Sequence, residues 1–173
     1  ISVILSLIAI FIYILARFRN VAFSIGSVLA LTIDTLIIVG MYSICWGWMP
    51  FSLEVDQTFI GAVLTAIGYS INDKVVVFDR IRENLGLYPK RETERLFNDS
   101  LNETLTRTIM TSATTLLVLL CIFFLGGDSI RSFAFAMILG VVFGTLSSIF
   151  LAAPIAFRTL GKKRIIEAAT AKA

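Results

Sequence analysis

The chain contains no histidine, only two cysteines and three prolines, and charged residues make up 16% of its 173 positions. Without histidine there is no Ser–His or Cys–His nucleophile pair and no imidazole relay. Any proton path must use carboxylates, hydroxyls or water. Cys45 and Cys121 each lie inside or at the end of an apolar block, which suits packed thiols and gives neither a disulfide framework nor metal-ligand spacing. Nothing in the sequence calls for a metal, a nucleotide or an organic cofactor. An initiator Met and a basic leader are also missing. The sequence opens at Ile1 within an apolar run, so it is not read as a signal peptide but as beginning partway through a larger protein. The net charge of +3 gives no footprint for nucleic acid, because the basic residues sit in short loops where membrane-orientation signals belong.

What the chain does have is apolar sequence in long blocks. Hydrophobic residues make up 57% of it and the mean hydropathy is +0.89, against roughly 45–50% apolar in soluble domains. Blocks of about 18 or more apolar residues read as membrane spans. Five are expected, at 1–16, 21–45, 57–78, 101–125 and 129–160. They must be helical, because backbone facing lipid has to satisfy its own hydrogen bonds. The fold class is therefore an all-α, polytopic transmembrane helix bundle, with 1–173 forming a single membrane domain. Arg17 and Arg19 follow the first span, Arg80, Arg82, Lys90, Arg91 and Arg95 the third, and Lys162, Lys163 and Arg164 the fifth. Glu54, Asp56 and Asp128 lie on the other side, with Arg131 as its cation. The positive-inside rule puts the C-terminus in the cytoplasm. Residues 79–102 then form a cytoplasmic loop. Within it Leu96, Phe97, Leu101 and Leu105 share one helical face, which predicts an amphipathic helix lying on the inner membrane surface.

Charges inside the spans carry the functional signal. Each costs about 2.5–3.5 kcal/mol on insertion scales. Asp34 lies roughly 20 Å from the inner edge of the second span. Asp73 and Arg107 both lie roughly 9 Å from the inner edge, on consecutive antiparallel spans. The equal depth predicts an acid–base pair there. If the base swings away or water enters, the acid takes up a proton, which is the minimum physics of a proton-coupled switch. Ser70 and Asn72 near Asp73, and Thr104, Thr108, Thr111 and Ser112 around Arg107, could line a file of water. Lys74 is expected to snorkel toward the inner surface as an orientation charge. Gly140 and Gly144 form a small-xxx-small face suited to close helix contact.

The run Gly68-Tyr-Ser-Ile-Asn-Asp73-Lys-Val-Val-Val-Phe-Asp79-Arg80-Ile-Arg82-Glu83-Asn84 and the run Asn102-Glu-Thr-Leu-Thr-Arg107-Thr-Ile-Met-Thr-Ser112 resemble the SecD/SecF family of protein-export membrane proteins, on the SecF side. Gly126-Gly127 and the run from Phe133 to Gly144 fit as well, so the resemblance covers nearly the whole chain. It implies spans two to six of a six-span half of the resistance–nodulation–division type, with the first span and a periplasmic domain upstream. It further implies an accessory subunit of the Sec translocase in the bacterial inner membrane, not an enzyme. Such a subunit uses the proton-motive force to assist export. Its implied partners are SecD, separate or fused, the SecY/SecE/SecG channel and unfolded polypeptide, with protons as the coupling ion. Asp73 and Arg107 match positions tied to proton passage, Asp34 matches an acidic position in the family's third span and is counted with them in the expected proton pathway, and Asp79, Arg80, Arg82 and Glu83 match a cytoplasmic motif. Two positions depart from the family pattern: Ile33 stands where His is frequent, and Lys74 where a small hydroxyl residue is usual. The rival readings are another proton-coupled exporter of the same superfamily and a passive scaffold beside the channel.

Overall fold

The apolar blocks become helices. In a computed structural model, which describes residues 2–18, 21–48, 53, 55–88 and 91–160, five helices follow one another: α1 (Ser2–Phe18), α2 (Val21–Cys45), α3 (Gln57–Leu87), α4 (Thr93–Leu125) and α5 (Asp128–Ser147). A π turn at Ser148–Ala152 continues α5, and helix resumes over 153–160. There is no strand among the described residues. Four stretches are long and apolar enough to cross a membrane, Val21–Cys45, Gln57–Leu87, Thr93–Leu125 and Ile130–Leu160, whereas the apolar part of α1 is shorter. Of the charges used to assign orientation, Arg19, Glu54, Lys90, Lys162, Lys163 and Arg164 lie outside the described residues.

The helix ends have local causes. Asp56 caps α3, accepting a hydrogen bond from the Phe59 amide at 2.8 Å, so one orphan N–H of the first turn is satisfied. After α2 the chain turns at Gly47, whose φ of 86° lies in the left-handed region that favours glycine. Two helices run further than the apolar pattern suggested. α3 continues past Phe78 to Leu87, and α4 begins at Thr93. The expected cytoplasmic loop is thus mostly helix, and the amphipathic segment is the opening of α4. Of its apolar face Leu96 and Phe97 are buried in protein, whereas Leu105 is exposed.

The helices contribute to two compact units. One comprises Ile1–Ala30, Lys74–Leu105 and Ser148–Ala173. Its core gathers Ile14, Phe23, Val77, Phe78, Ile81, Leu96, Phe97, Ala152, Ala156 and Leu160. The Phe23 and Phe78 rings lie 5.0 Å apart, and Phe97 meets Phe157 edge-on at 5.4 Å. Gly26 permits close contact there, since a Cβ at that position would sit 2.9 Å from the Ala152 carbonyl oxygen.

The second unit comprises Leu31–Asp73 and Thr106–Ser147. Its core holds Ile38, Tyr42, Phe59, Ala62, Ala66, Leu119, Ala136, Met137 and Val141. Two ladders of small residues at four-residue spacing meet in it: Ala62, Ala66 and Ser70 on α3, and Ala136, Gly140 and Gly144 on α5. Lipid gives no hydrophobic drive for helices to associate, so backbone proximity and dispersion hold such a pair together. Tyr42 stacks at 4.2 Å on Phe59 and hydrogen-bonds Ser132, so its buried hydroxyl is satisfied.

Candidate functional site

In the second unit, three helices converge on one carboxylate. Asp34 of α2 is 2% exposed. Its Oδ2 accepts hydrogen bonds from Ser70 Oγ of α3 and from Ser147 Oγ of α5, both at 2.8 Å. The small-residue ladders make this geometry possible. A Cβ on Gly144 would lie 2.9 Å from Ser70 Oγ, so only glycine lets α5 approach closely enough for both serines to reach one oxygen. Asp73 follows Ser70 by about one turn on α3 and is also buried, at 6% exposure.

α4 contributes a stripe of hydroxyls. Thr104, Thr108 and Ser112 recur every four residues and are all buried. Ser112 Oγ and Thr145 Oγ1 of α5 are 2.6 Å apart, and Tyr69 OH donates to Ser112 at 3.4 Å. Thr108 Oγ1 is buried with no hydrogen-bond partner among the described residues. Buried hydroxyls are normally satisfied, so an orphan marks a place where water or a moving group fits. Thr111 is exposed, and its hydroxyl returns to the Arg107 carbonyl at 2.8 Å. Asn72 is exposed as well.

The expected pairing of Asp73 with Arg107 is not made. Arg107 is exposed, and among the described residues its guanidinium enters no ion pair. The reason is azimuth. α4 turns Thr104, Thr108 and Ser112 inward, and Arg107, one residue before Thr108, points about 100° away. Depth could be read from helical rise; the face presented could not. Lys74 also departs from expectation. It is fully buried, at 0% exposure, and does not snorkel to the surface. Its spacing with Val77, Phe78 and Ile81, all buried, was the available signal, since i, i+3, i+4 and i+7 share one inward face.

The motif Asp79, Arg80, Arg82 and Glu83 belongs to the first unit and forms a separate polar network. Arg80 bridges Glu103 through Nε at 2.5 Å and Glu83 through Nη1 at 2.7 Å. Asn84, 5% exposed, donates through Nδ2 to Ser100 Oγ at 2.9 Å and to Glu103 Oε2 at 3.1 Å. Arg17 pairs with Asp79 at 3.4 Å, and Arg82 donates to the Arg17 carbonyl, also at 3.4 Å. Asp79, Arg82, Glu83, Gly86 and Leu87 line a shallow, open groove of about 430 Å³. Arg80 and its partners are partly exposed, so solvent weakens those pairs, whereas the Asn84–Ser100 bond is buried. Replacing Asn84 by Ala is therefore expected to lower unfolding stability by about 1–3 kcal/mol, more than removing the Arg80 side chain does. Thermal melting of both variants in detergent measures the difference.

Comparison with known proteins agrees with this architecture. The family model described as "Protein export membrane protein SecD/SecF, C-terminal" matches residues 1–162. The protein translocase subunit SecF of Rhodothermus marinus is 53% identical over 154 residues, covering 89% of this chain and 50% of the relative. The SecF subunit of Petrotoga mobilis is 42% identical over 163 residues, covering 94% of this chain and 52% of the relative. The chain thus spans about half the length of the curated relatives it matches. A crystal structure of SecDF in a super-membrane-facing form superposes with a TM-score of 0.87 at 41% identity, covering 98% of this chain and 22% of that one. SecDF from Thermus thermophilus superposes with a TM-score of 0.77 at 42% identity, covering 87% of this chain and 20% of that one. With its helical spans, its buried carboxylates and a family match over nearly its whole length, the chain belongs to the SecD/SecF family of protein-export membrane proteins, on the SecF side.

Proposed function

We propose that this chain is the membrane part of a Sec translocase accessory subunit that couples proton entry to helix movement, and through it to polypeptide export. The observation that carries the reading is Asp34, sealed from water and held by one hydroxyl from each of two other helices. An ionised carboxylate only accepts hydrogen bonds; a protonated one carries an O–H that must donate. When Asp34 takes up a proton on Oδ2, Ser70 and Ser147 can no longer both donate there and at least one hydroxyl has to turn; a proton on Oδ1 needs an acceptor of its own, so the hydrogen bonding around the carboxyl changes in either case. Ser70 is also the side chain packed against Gly144, so the change in hydrogen bonding bears directly on the α3–α5 contact. A packed interface of this kind responds by stepping between discrete arrangements. Asp73 and the orphan hydroxyl of Thr108 are the further polar groups through which a proton or water would pass.

Arg107 supplies the second element. A guanidinium facing hydrocarbon is costly, so its exposed position on α4 calls for a polar protein surface against it. The SecD half, separate or on the same chain, is the partner this reading assigns. The solved SecDF chains are several times longer than this one, which leaves room for it. The setting is the bacterial inner membrane beside the SecY/SecE/SecG channel, with the C-terminus in the cytoplasm and unfolded polypeptide as the cargo.

The test is export of a preprotein into membrane vesicles with and without a proton gradient, using full-length subunits carrying Asp34→Asn or Asp73→Asn. Loss of the gradient-dependent part with normal assembly supports coupling, and unchanged export refutes it. Arg107→Ala is expected to leave the packing of this chain intact, because the side chain is exposed and has no ion-pair partner among the described residues, and to weaken co-purification with the SecD half.

A further inference from the structure

The hydroxyls of α4 are used in two ways. Thr104, Thr111, Thr114 and Thr115 each donate to the backbone carbonyl four residues back, at 2.8–3.0 Å. Such back-bonding is the local alternative open to a hydroxyl on a helix. Thr108 does not take it. Its Oγ1 has no hydrogen-bond partner among the described residues, although the residue is only 1% exposed. What it faces follows from register within the second unit, to which Leu31–Asp73 and Thr106–Ser147 both belong. α5 sets a common level for α3 and α4. Gly144 lies against Ser70, and the next residue, Thr145, is 2.6 Å from Ser112 of α4. Tyr69 OH reaches the same Ser112 at 3.4 Å. α3 and α4 are consecutive antiparallel helices, so a step forward on α3 goes with a step back on α4. Asp73 lies three residues on from Ser70, about 4.5 Å along the axis, and Thr108 four back from Ser112, about 6 Å. Residues three or four apart share a helix face, so the two arrive at one level on the faces that already meet. Asp73 is buried too. No direct bond joins them, because Thr108 Oγ1 makes none. One water is the group that spans such a gap between two buried polar side chains.

We infer that Thr108 and Asp73 share a buried water, and that Thr108 is the positioning residue that holds this water where a proton passes to the carboxylate. An incoming proton adds to the water; one O–H bond of the resulting hydronium breaks, an O–H bond forms on Asp73, and the water remains. Ser112 continues the row of hydroxyls one turn further along α4, and Tyr69 and Thr145, which meet it there, are only partly buried. The inference rests on the proton-coupling reading above and adds to it one residue and one step.

The experiment uses full-length subunits assembled with the partner half and carrying Thr108→Val, Thr108→Ser or Asp73→Asn. It measures complex yield and preprotein import into vesicles with the proton gradient present or collapsed. Thr108→Val replaces the hydroxyl by a methyl of similar shape and breaks no bond within the protein, so complex yield is expected to hold, while the gradient-driven part of import is lost. Thr108→Ser keeps the hydroxyl and is expected to keep that import. A role in packing alone gives the opposite order, because Val fills the space and Ser leaves a methyl-sized gap. Adding Thr108→Val to Asp73→Asn is expected to cost nothing further, since both act on one step. Normal gradient-driven import in Thr108→Val beside an inactive Asp73→Asn overturns the inference and leaves the coupling reading standing. Normal import in Asp73→Asn refutes proton passage there and takes the inference with it. Thr108→Ala, which removes the hydroxyl without adding bulk, is read in the same way where Thr108→Val does not assemble. Failure of both to assemble marks the hydroxyl as a structural anchor and overturns the inference as well.

Discussion

Asp34→Asn in the full-length subunit is expected to reduce gradient-driven export to the level of membranes lacking the subunit, with no loss of assembled protein. The two halves of this expectation have different physical origins. The Asn carbonyl oxygen can take both serine hydroxyls in place of Oδ2, so the 2.8 Å bonds from Ser70 and Ser147 keep an acceptor and the three helices stay joined. What Asn cannot do is gain or lose a proton at neutral pH, so the donors never have to rearrange. Ser70→Ala and Ser147→Ala probe the same centre from the other side. Each deletes one donor to a buried carboxylate, at a cost of about 1–3 kcal/mol, and each should lower melting temperature as well as export. A parallel fall of assembly and export in Asp34→Asn would instead mark a structural hub. The readout is vesicle import of a preprotein with the gradient present or collapsed, alongside quantified complex.

The reach of the sequence can be judged residue by residue. Span positions were legible because hydropathy is a local property: α2 begins and ends where the apolar block does. The end of α3 and the start of α4 were less so. Arg80, Arg82 and Glu83 read as loop, yet they ride on a helix whose inward positions, Val77, Ile81 and Asn84, are buried. The chemistry-bearing residues Asp34 and Asp73 were also legible, since a carboxylate inside an apolar block stands out. Their surroundings were not. Ser70 and Ser147 lie 36 and 113 residues from Asp34 along the chain, and nothing local announces either contact. The nearest signal was the four-residue spacing of small residues on α3 and α5, which says that two helices approach closely without saying that they are each other's partners. Arg107 failed for a simpler reason. Helical rise gives depth, whereas azimuth follows from which face of α4 finds protein, and there the hydroxyl stripe takes the inward side.

Gly140 is where the helix contact beneath Asp34 is most exposed to a small change. A Cβ built on it overlaps the Cβ of Ala66, and the Ile38 side chain is 3.4 Å away. Neither neighbour is the far end of a flexible chain: one is the first carbon of an alanine fixed to α3, the other an isoleucine packed in the core. The clash must be relieved by moving a backbone, which places the cost of Gly140→Ala at about 1–3 kcal/mol or above. Alanine's better helix propensity, about 1 kcal/mol over glycine, offsets only part of that. Moving α5 outward would also draw Ser147 away from Asp34, so export should fall further than stability alone accounts for. Ala66→Gly in the same chain opens the missing space on α3 and is expected to recover most of the melting temperature. The double-mutant cycle in detergent isolates the contact. Additive losses from the two substitutions would mean that α3 and α5 do not meet at these positions in the assembled protein.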